Sequence, residues 1–247
     1  LWTVASPAEA QPRGEWWLGF QDPALAELVQ RAGSANTSIQ QAAGRLAEAR
    51  SLLRSADAAR SVQVDASAGV TLQAGAATTG SATPATLGTA GLNVSYELDL
   101  FGKLSQTSDA ARLDADARAA LLQSTRLMVQ ADVAQTYLQL RAAQTELQLV
   151  NESLAAYQDT LRLTQRRQQA GDVAELDVAR VQTEVAATES EALALQRQQA
   201  LLTNALAVLV SEVPGSFALP AAASEAALPV IPPGVPGTVL ARRPDVS

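Results

Sequence analysis

Apolar residues recur along this chain at two different periods, and the change between them marks its elements. After an irregular opening (1–21, with Pro7, Pro12 and Gly14), Asp22-Pro23 offers a helix cap and then a residue favoured at the first helical position. Gly33 stands where a helix would stop, so the spacing predicts a short helix over 22–33. Asn36 or Ser38 caps a second helix, in which Ile39, Ala42, Ala43, Leu46, Ala49, Leu53 and Ala56 return every three or four residues.

At Val62 the period drops to two. Val62, Val64, Ala66, Ala68, Val70, Leu72 and Ala74 alternate with Gln63, Asp65, Ser67, Gly69, Thr71 and Gln73. After a Gly/Ser/Thr/Pro loop (76–86) the alternation resumes. Ala90, Leu92, Val94, Tyr96, Leu98 and Leu100 fall on one face, and Thr89, Gly91, Asn93, Ser95, Glu97 and Asp99 on the other. Over 62–101 this predicts a long β-hairpin with one apolar and one polar face. Such a hairpin suits a soluble core. It also suits an outer-membrane barrel, whose strands need about 9–11 residues, apolar toward lipid and polar toward the lumen. Periodicity leaves both readings open.

From Leu104 to Ala170 there is neither proline nor glycine, and the helical period returns. One stripe runs Leu113, Ala117, Ala120, Ser124, Leu127, Ala131, Ala134 and Leu138; a second runs Val133, Tyr137, Leu140, Leu147, Val150, Leu154, Tyr157 and Leu161. A continuous helix of that length would reach roughly 100 Å, which suits a coiled structure with small residues at close helix contacts. Gly171-Asp172 interrupts it. A second long helix is expected over roughly 174–211, faced by Val178, Val181, Val185, Ala192, Leu195, Leu202, Leu206 and Leu209. Pro214-Gly215 closes it, and Pro229, Pro232, Pro233 and Pro236 make the remainder a linker.

Composition narrows the chemistry. Of the 247 residues 47% are apolar, yet only 4% are aromatic, which favours close helix packing over a thick core. There is no histidine and no cysteine, which removes His acid–base catalysis, Cys nucleophiles, disulfides and metal sites built on those ligands. No cofactor is implied. A formal charge of −7 argues against a nucleic-acid surface. No apolar run reaches the ~18 residues of a transmembrane helix. The opening Leu1-Trp2-Thr3-Val4 has no basic leader, and the sequence is expected to be a segment of a longer chain.

Five stretches carry a resemblance. Trp16-Trp17 through Phe20-Gln21-Asp22-Pro23-Ala24-Leu25-Ala26-Glu27-Leu28-Val29, the run Gln41 to Arg50, and Ser95-Tyr96-Glu97-Leu98-Asp99-Leu100-Phe101-Gly102-Lys103 are three of them. The others are Arg167 to Gly171 with Leu176-Asp177-Val178, and Pro236-Gly237-Thr238-Val239-Leu240-Ala241-Arg242-Arg243-Pro244-Asp245-Val246. In this order, the chain resembles the amino-terminal half of an outer-membrane efflux protein of the TolC/OprM type, in the NodT-like lipoprotein branch. That branch carries a lipidated cysteine near its mature amino terminus, and no cysteine stands in these residues.

The resemblance implies a mainly α fold with a β-hairpin, TolC-like: a long coiled α-helical hairpin from a periplasmic α-barrel plus two strands of a transmembrane β-barrel. It implies periplasmic helices over 22–61, the hairpin over 62–101, the helical hairpin over 102–212, and a Pro-rich linker over 213–247 to a second repeat. It implies a homotrimeric exit duct in the outer membrane, serving a periplasmic adaptor and an inner-membrane pump of the RND type. Val64, Val70, Leu72, Leu92, Val94 and Tyr96 would face lipid, and Glu97 and Asp99 the lumen. Around the helical turn, Arg167, Gly171, Leu176, Asp177 and Val178 would meet the adaptor and take part in aperture opening. Asp177 has an equally good reading as a first-turn carboxylate favoured by the helix dipole. Glu97 and Asp99 as an acid–base pair lack any basic or nucleophilic companion. Arg242-Arg243 reads as a junction between repeats, and Trp2, Trp16 and Trp17 as packing at the tunnel's equator. The rivals are a soluble periplasmic coiled-coil adaptor, for which 1–21 and 216–247 supply no flanking strands, and an enzyme, for which no pocket of convergent polar groups assembles.

Overall fold

A computed structural model describes residues 14–73, 85–217 and 219. Trp2, Ala74, the loop tip and the Pro-rich stretch with Arg242-Arg243 lie outside the described residues. The elements are a short 3-10 helix (Trp16–Phe20), α1 (Pro23–Ala35), α2 (Thr37–Ala58), β1 (Gln63–Gln73), β2 (Ala85–Ser95), α3 (Lys103–Gln169) and α4 (Glu175–Leu209). The chain forms two compact units, one drawn from 1–41 and 122–247, the other Ala42–Leu121. Among the described residues, no helix is long and apolar enough to cross a membrane.

The first unit is built around α1. Asp22 caps it, accepting from the N–H groups of Ala24 (2.9 Å) and Leu25 (3.3 Å), with Pro23 in the first turn. Leu25, Leu28, Val29 and Ala32 are buried with Val133, Tyr137 and Leu140 of α3 and Leu206, Ala207 and Val210 at the end of α4. The second acidic oxygen of Asp22 accepts from the Tyr137 hydroxyl at 2.7 Å. Burial, with Asp22 beside it, pushes that phenol above its ordinary range, so it stays a donor. Further along, Gln199 of α4 donates to the Ala143 carbonyl of α3 at 3.0 Å.

Gly33 does not end α1; the helix runs on to Ala35, and Asn36 makes the turn. Its Oδ1 accepts from the N–H groups of Ser38 (2.9 Å) and Ile39 (3.4 Å), while its Nδ2 donates to the Leu209 carbonyl (2.8 Å). One buried side chain therefore caps the start of α2 and satisfies an orphan carbonyl at the end of α4. Arg31 pairs with Glu212 there and lies 5.5 Å from the centre of the Phe217 ring. The expected irregular opening also contains order. Trp16 packs edge-on against Trp17 and Phe20, at 6.0 and 6.3 Å between ring centres, and Trp17 is buried.

The long helices fall close to the expected boundaries, but burial follows neither α3 stripe throughout: Ala134 of the first is buried, and Tyr157 of the second is exposed. Val133, Tyr137 and Leu140 are buried, whereas Leu113 and Leu127 of the first stripe stand exposed. The residues turned inward are Ala115, Leu122 and Val129. An apolar 3.6-residue period identifies a face, not the partner that covers it, and both stripes satisfy the period.

The second unit holds the hairpin. β1 and β2 pair antiparallel from Gln63↔Ser95 to Gln73↔Ala85. Ser108, in the first turns of α3, is fully buried and donates to Asp57 near the end of α2. Among the described residues of this unit, Leu46 and Ala49 of α2 and Ala115 of α3 are the buried apolar ones.

Candidate channel wall and helical turn

Cross-strand partners share a face, so the register sorts the hairpin. Val64↔Val94, Ala66↔Leu92, Ala68↔Ala90 and Val70↔Gly88 stack along one side; Gln63↔Ser95, Asp65↔Asn93, Ser67↔Gly91 and Gly69↔Thr89 line the other. Val64, Val70, Leu72, Leu92 and Val94 are all exposed, so this chain leaves the apolar face uncovered. The separation loosens toward the loop, where Leu87 opposes Thr71 on the polar side and Thr86 opposes Leu72 on the apolar one.

On the polar face each glycine is opposed by a hydroxyl. A Cβ at Gly69 would come within 3.1 Å of Thr89 Oγ1, and one at Gly91 within 3.2 Å of Ser67 Oγ. The Thr89 hydroxyl donates to the Gly69 carbonyl at 3.3 Å. Sequence reading assigned these positions only a polar parity and missed that the glycines make room for the hydroxyls.

The strand expected to continue through Leu100 ends at Ser95, so Tyr96, Glu97 and Asp99 are not strand positions. Beyond Ser95 alternation no longer assigns them a face. The carboxylate of Asp99 turns back to α3, accepting from the N–H of Leu104 (3.1 Å), the N–H of Ser105 (2.8 Å) and the Ser105 hydroxyl (2.8 Å). It is a helix cap. Glu97 has no partner in that cap, and the two do not act as a pair. The missed signal is Ser105 and Gly102 just downstream: a hydroxyl and a glycine mark a capped turn better than a strand.

Hydrogen bonds from the Ser105 N–H and hydroxyl hold the Asp99 carboxyl below its usual range, against a desolvation effect larger than the further contribution of the Leu104 N–H. The sign follows. A depressed folded-state pKa contributes stability above the unfolded value and loses it as pH falls through the folded one. The start of α3 is therefore expected to loosen below the ordinary aspartate range. Protection of the Leu104 and Ser105 amides, taken relative to the intrinsic exchange rate at each pH, should fall on acidification in the natural protein. Asp99→Asn should remove that acid-dependent part; an unchanged pH profile in the variant would refute the cap's role.

At the other end of α3, Gly171 adopts φ +84, the left-handed region that favours glycine. The Asp172 N–H donates to the Arg167 carbonyl (2.9 Å), and the Gly171 N–H to that of Gln168 (3.0 Å). This is a Schellman closure, and Arg167 takes part through its backbone. The Asp177 carboxylate reaches back to the Ala174 N–H (3.2 Å) and sits 3.8 Å from Arg180. That is the structural role expected of a first-turn acid. Leu176 is exposed; Val178 lines a shallow groove with Gln165, Gln168, Gln169, Glu175 and Gln182. The five expected residues thus do sit around one turn, and the amide-lined groove beside them was not anticipated.

A long two-faced hairpin followed by a long helical pair joined at a tight turn matches known proteins across nearly the whole chain. The outer membrane efflux protein family matches residues 28–211. The chain belongs to that family. It is 32% identical to the pyoverdine export outer membrane protein OpmQ of Pseudomonas putida, over 99% of this chain and 54% of that protein. With the toluene efflux pump outer membrane protein TtgI of P. putida it shares 30%, over 98% of this chain and 52% of the other. Its fold superposes on the outer-membrane channel OprN with a TM-score of 0.79 at 29% identity, covering 96% of this chain and 54% of that one. The chain therefore spans about half the length of the relatives it matches. The efflux family is a transport family, its TolC-like fold is the one found here, and its place is the outer membrane.

Proposed function

We propose that this chain is the amino-terminal half of a channel subunit in a tripartite efflux system, a passive exit duct for small molecules, with no catalytic step. The observation that carries this reading is the hairpin. Each strand has 11 residues, and the apolar side is exposed. At about 3.3 Å per residue and a tilt near 45°, such a strand spans roughly 25 Å, the height of a barrel's apolar band. Two strands leave unpaired backbone edges, which lipid does not satisfy, so closure requires further strands. Those would come from a second repeat and from two further copies, making a homotrimer. The exposed Leu113–Leu127 stripe of α3 would then meet neighbouring helices of the same tunnel.

In this reading 22–61 and 102–212 are periplasmic, 62–101 holds the membrane hairpin, and 213–247 leads into the second repeat. Val64, Val70, Leu72, Leu92 and Val94 face lipid. The turn at Gly171, with exposed Leu176 and groove-lining Val178, meets a periplasmic adaptor, and an inner-membrane pump, of the RND type, loads the duct. Arg167 and Asp177 hold the turn in shape. The relatives named for pyoverdine and for toluene differ in cargo while matching this chain about equally, which suits a duct whose selectivity lies in the pump.

The test is an immunoblot of inner-membrane, outer-membrane and soluble fractions, with and without boiling. An outer-membrane band that runs as a trimer until boiled is the expected result. A soluble monomer would refute the channel and favour a coiled-coil adaptor.

A further inference from the structure

The two strands of the hairpin hold a single ionisable side chain. Across Gln63–Gln73 and Ala85–Ser95 every other residue is apolar, a glycine, a hydroxyl or an amide, and Asp65 alone carries charge. Its register partner on the polar side is Asn93, whose amide supplies no opposite charge. Asp65 is exposed, and among the described residues it forms no ion pair. The next two pairs on that side, Ser67↔Gly91 and Gly69↔Thr89, carry nothing longer than threonine, so neither covers the carboxylate. The other charges stand outside the strands. Asp57 accepts from Ser108, and Asp99 caps α3 with Arg60 near enough to help hold it charged. Glu97 is exposed between β2 and that cap, and Lys103 opens α3. Acids and bases are thus mixed at the foot of the hairpin, whereas the wall above it has one sign only.

In the proposed barrel the polar side lines the lumen. With about 12 strands, four from each of three copies, about 4.8 Å apart and tilted near 40°, the wall has a radius of roughly 12 Å. Salt at 0.1 M screens charge over about 10 Å, so a carboxylate on the wall still acts on the axis. At 1 M that length shrinks to about 3 Å, and the effect stays at the wall. Three charges at roughly 12 Å in water, screened as at 0.1 M, favour K⁺ over Cl⁻ on the axis by about two- to threefold. A lining without charge has no such preference.

We infer that Asp65 determines the ion preference of the barrel: repeated in each copy of the trimer, it makes the membrane section of the duct favour cations over anions. No binding site is needed, because the field acts on whatever passes. A cationic small molecule therefore crosses this section more readily than an anionic one of the same size, and a neutral one is unaffected. A bias of this size adjusts flux by charge and leaves the choice of compound to the pump. The inference rests on the channel reading and adds to it the residue that sets charge preference.

The test measures reversal potentials of the full-length protein in planar bilayers at neutral pH, across KCl gradients centred near 0.1 M and near 1 M. Asp65→Asn is expected to lower the K⁺/Cl⁻ permeability ratio about two- to threefold at 0.1 M and hardly at all at 1 M. Adding Ser67→Asp returns the charge one pair along the same side, opposite Gly91, and should restore the ratio. That rescue separates a field from a change of fold. A ratio unmoved by Asp65→Asn overturns the inference and leaves the duct standing. So does a ratio that falls in Glu97→Gln instead, which puts the determinant below the strands. A fall in Asp65→Asn that Ser67→Asp does not restore also overturns it, since a field acts from either position. Protein that inserts and conducts nothing refutes the duct itself, and the inference with it.

Discussion

The Ala90→Arg variant is expected to be lost from the outer membrane, whereas Thr89→Arg accumulates close to the natural level. Ala90 pairs with Ala68, the sixth of the eleven pairs in the hairpin, and both lie on the apolar side. In the proposed barrel that is the lipid face near the bilayer midplane. An arginine there costs about 2–4 kcal/mol, and a homotrimer incurs that cost in every copy. Thr89 is one residue away and faces the lumen. There the guanidinium stays hydrated, and the variant forfeits little more than the 3.3 Å hydroxyl bond to the Gly69 carbonyl, about 1 kcal/mol or less. Val64→Arg, at the base of the same face, should accumulate far better than Ala90→Arg, since the penalty drops to about 0–1 kcal/mol near the interface. The measurement is the amount of heat-modifiable protein in the outer-membrane fraction. Equal accumulation of the 89 and 90 variants would mean that the exposed apolar side of the hairpin meets no lipid.

Local periodicity made the hairpin and the long helices legible. The switch from period two to 3.6 depends only on side chains a few positions apart, so β1, α3 and α4 fall within a few residues of their expected limits, and β2 departs from them only at its far end. What escaped has one cause: it depends on groups distant in sequence. Gly33 looked like a stop, but α1 ends where Asn36 can bond Leu209, 173 positions away. Parity alone carried the strand to Leu100, because Asp99 alternates correctly whether it lines a sheet or caps a helix. Only the bonds to Leu104 and Ser105 decide between them. The two stripes of α3 were both visible, and nothing local distinguishes the positions buried within this chain from those left exposed. Around the helical turn, composition supplied Gly171 and Asp177, whereas the amide groove arises from side chains on opposite helices. Adaptor contact leaves no mark in a lone chain beyond exposure.

Asp22→Ala is expected to release α1 from its place against α3. The buried carboxylate is a common acceptor for three donors: two N–H groups of the first helical turn, and the hydroxyl of fully buried Tyr137. Removing it deletes a helix cap, about 0.5–2 kcal/mol, and strands a buried phenol, about 1–3 kcal/mol. The two effects share one side chain, so a total of about 2–4 kcal/mol is expected rather than a strict sum. Asp22→Asn keeps an oxygen for the cap and should cost about 1 kcal/mol. Tyr137→Phe spares the cap and removes one donor, so it should cost about 1–2 kcal/mol. The decisive variant is the double one. With Asp22→Ala already present, adding Tyr137→Phe removes the stranded hydroxyl, so the second change should cost less than it does alone. Global unfolding is a poor gauge in a multi-unit membrane protein, so the readout is local amide exchange in α1. A loss of 2–4 kcal/mol corresponds to exchange roughly 30- to 700-fold faster at Leu25 and Leu28. Unchanged protection in Asp22→Ala would show that apolar packing alone seats the helix, and strictly additive effects in the double variant would show that the 115-residue link between Asp22 and Tyr137 carries no coupling.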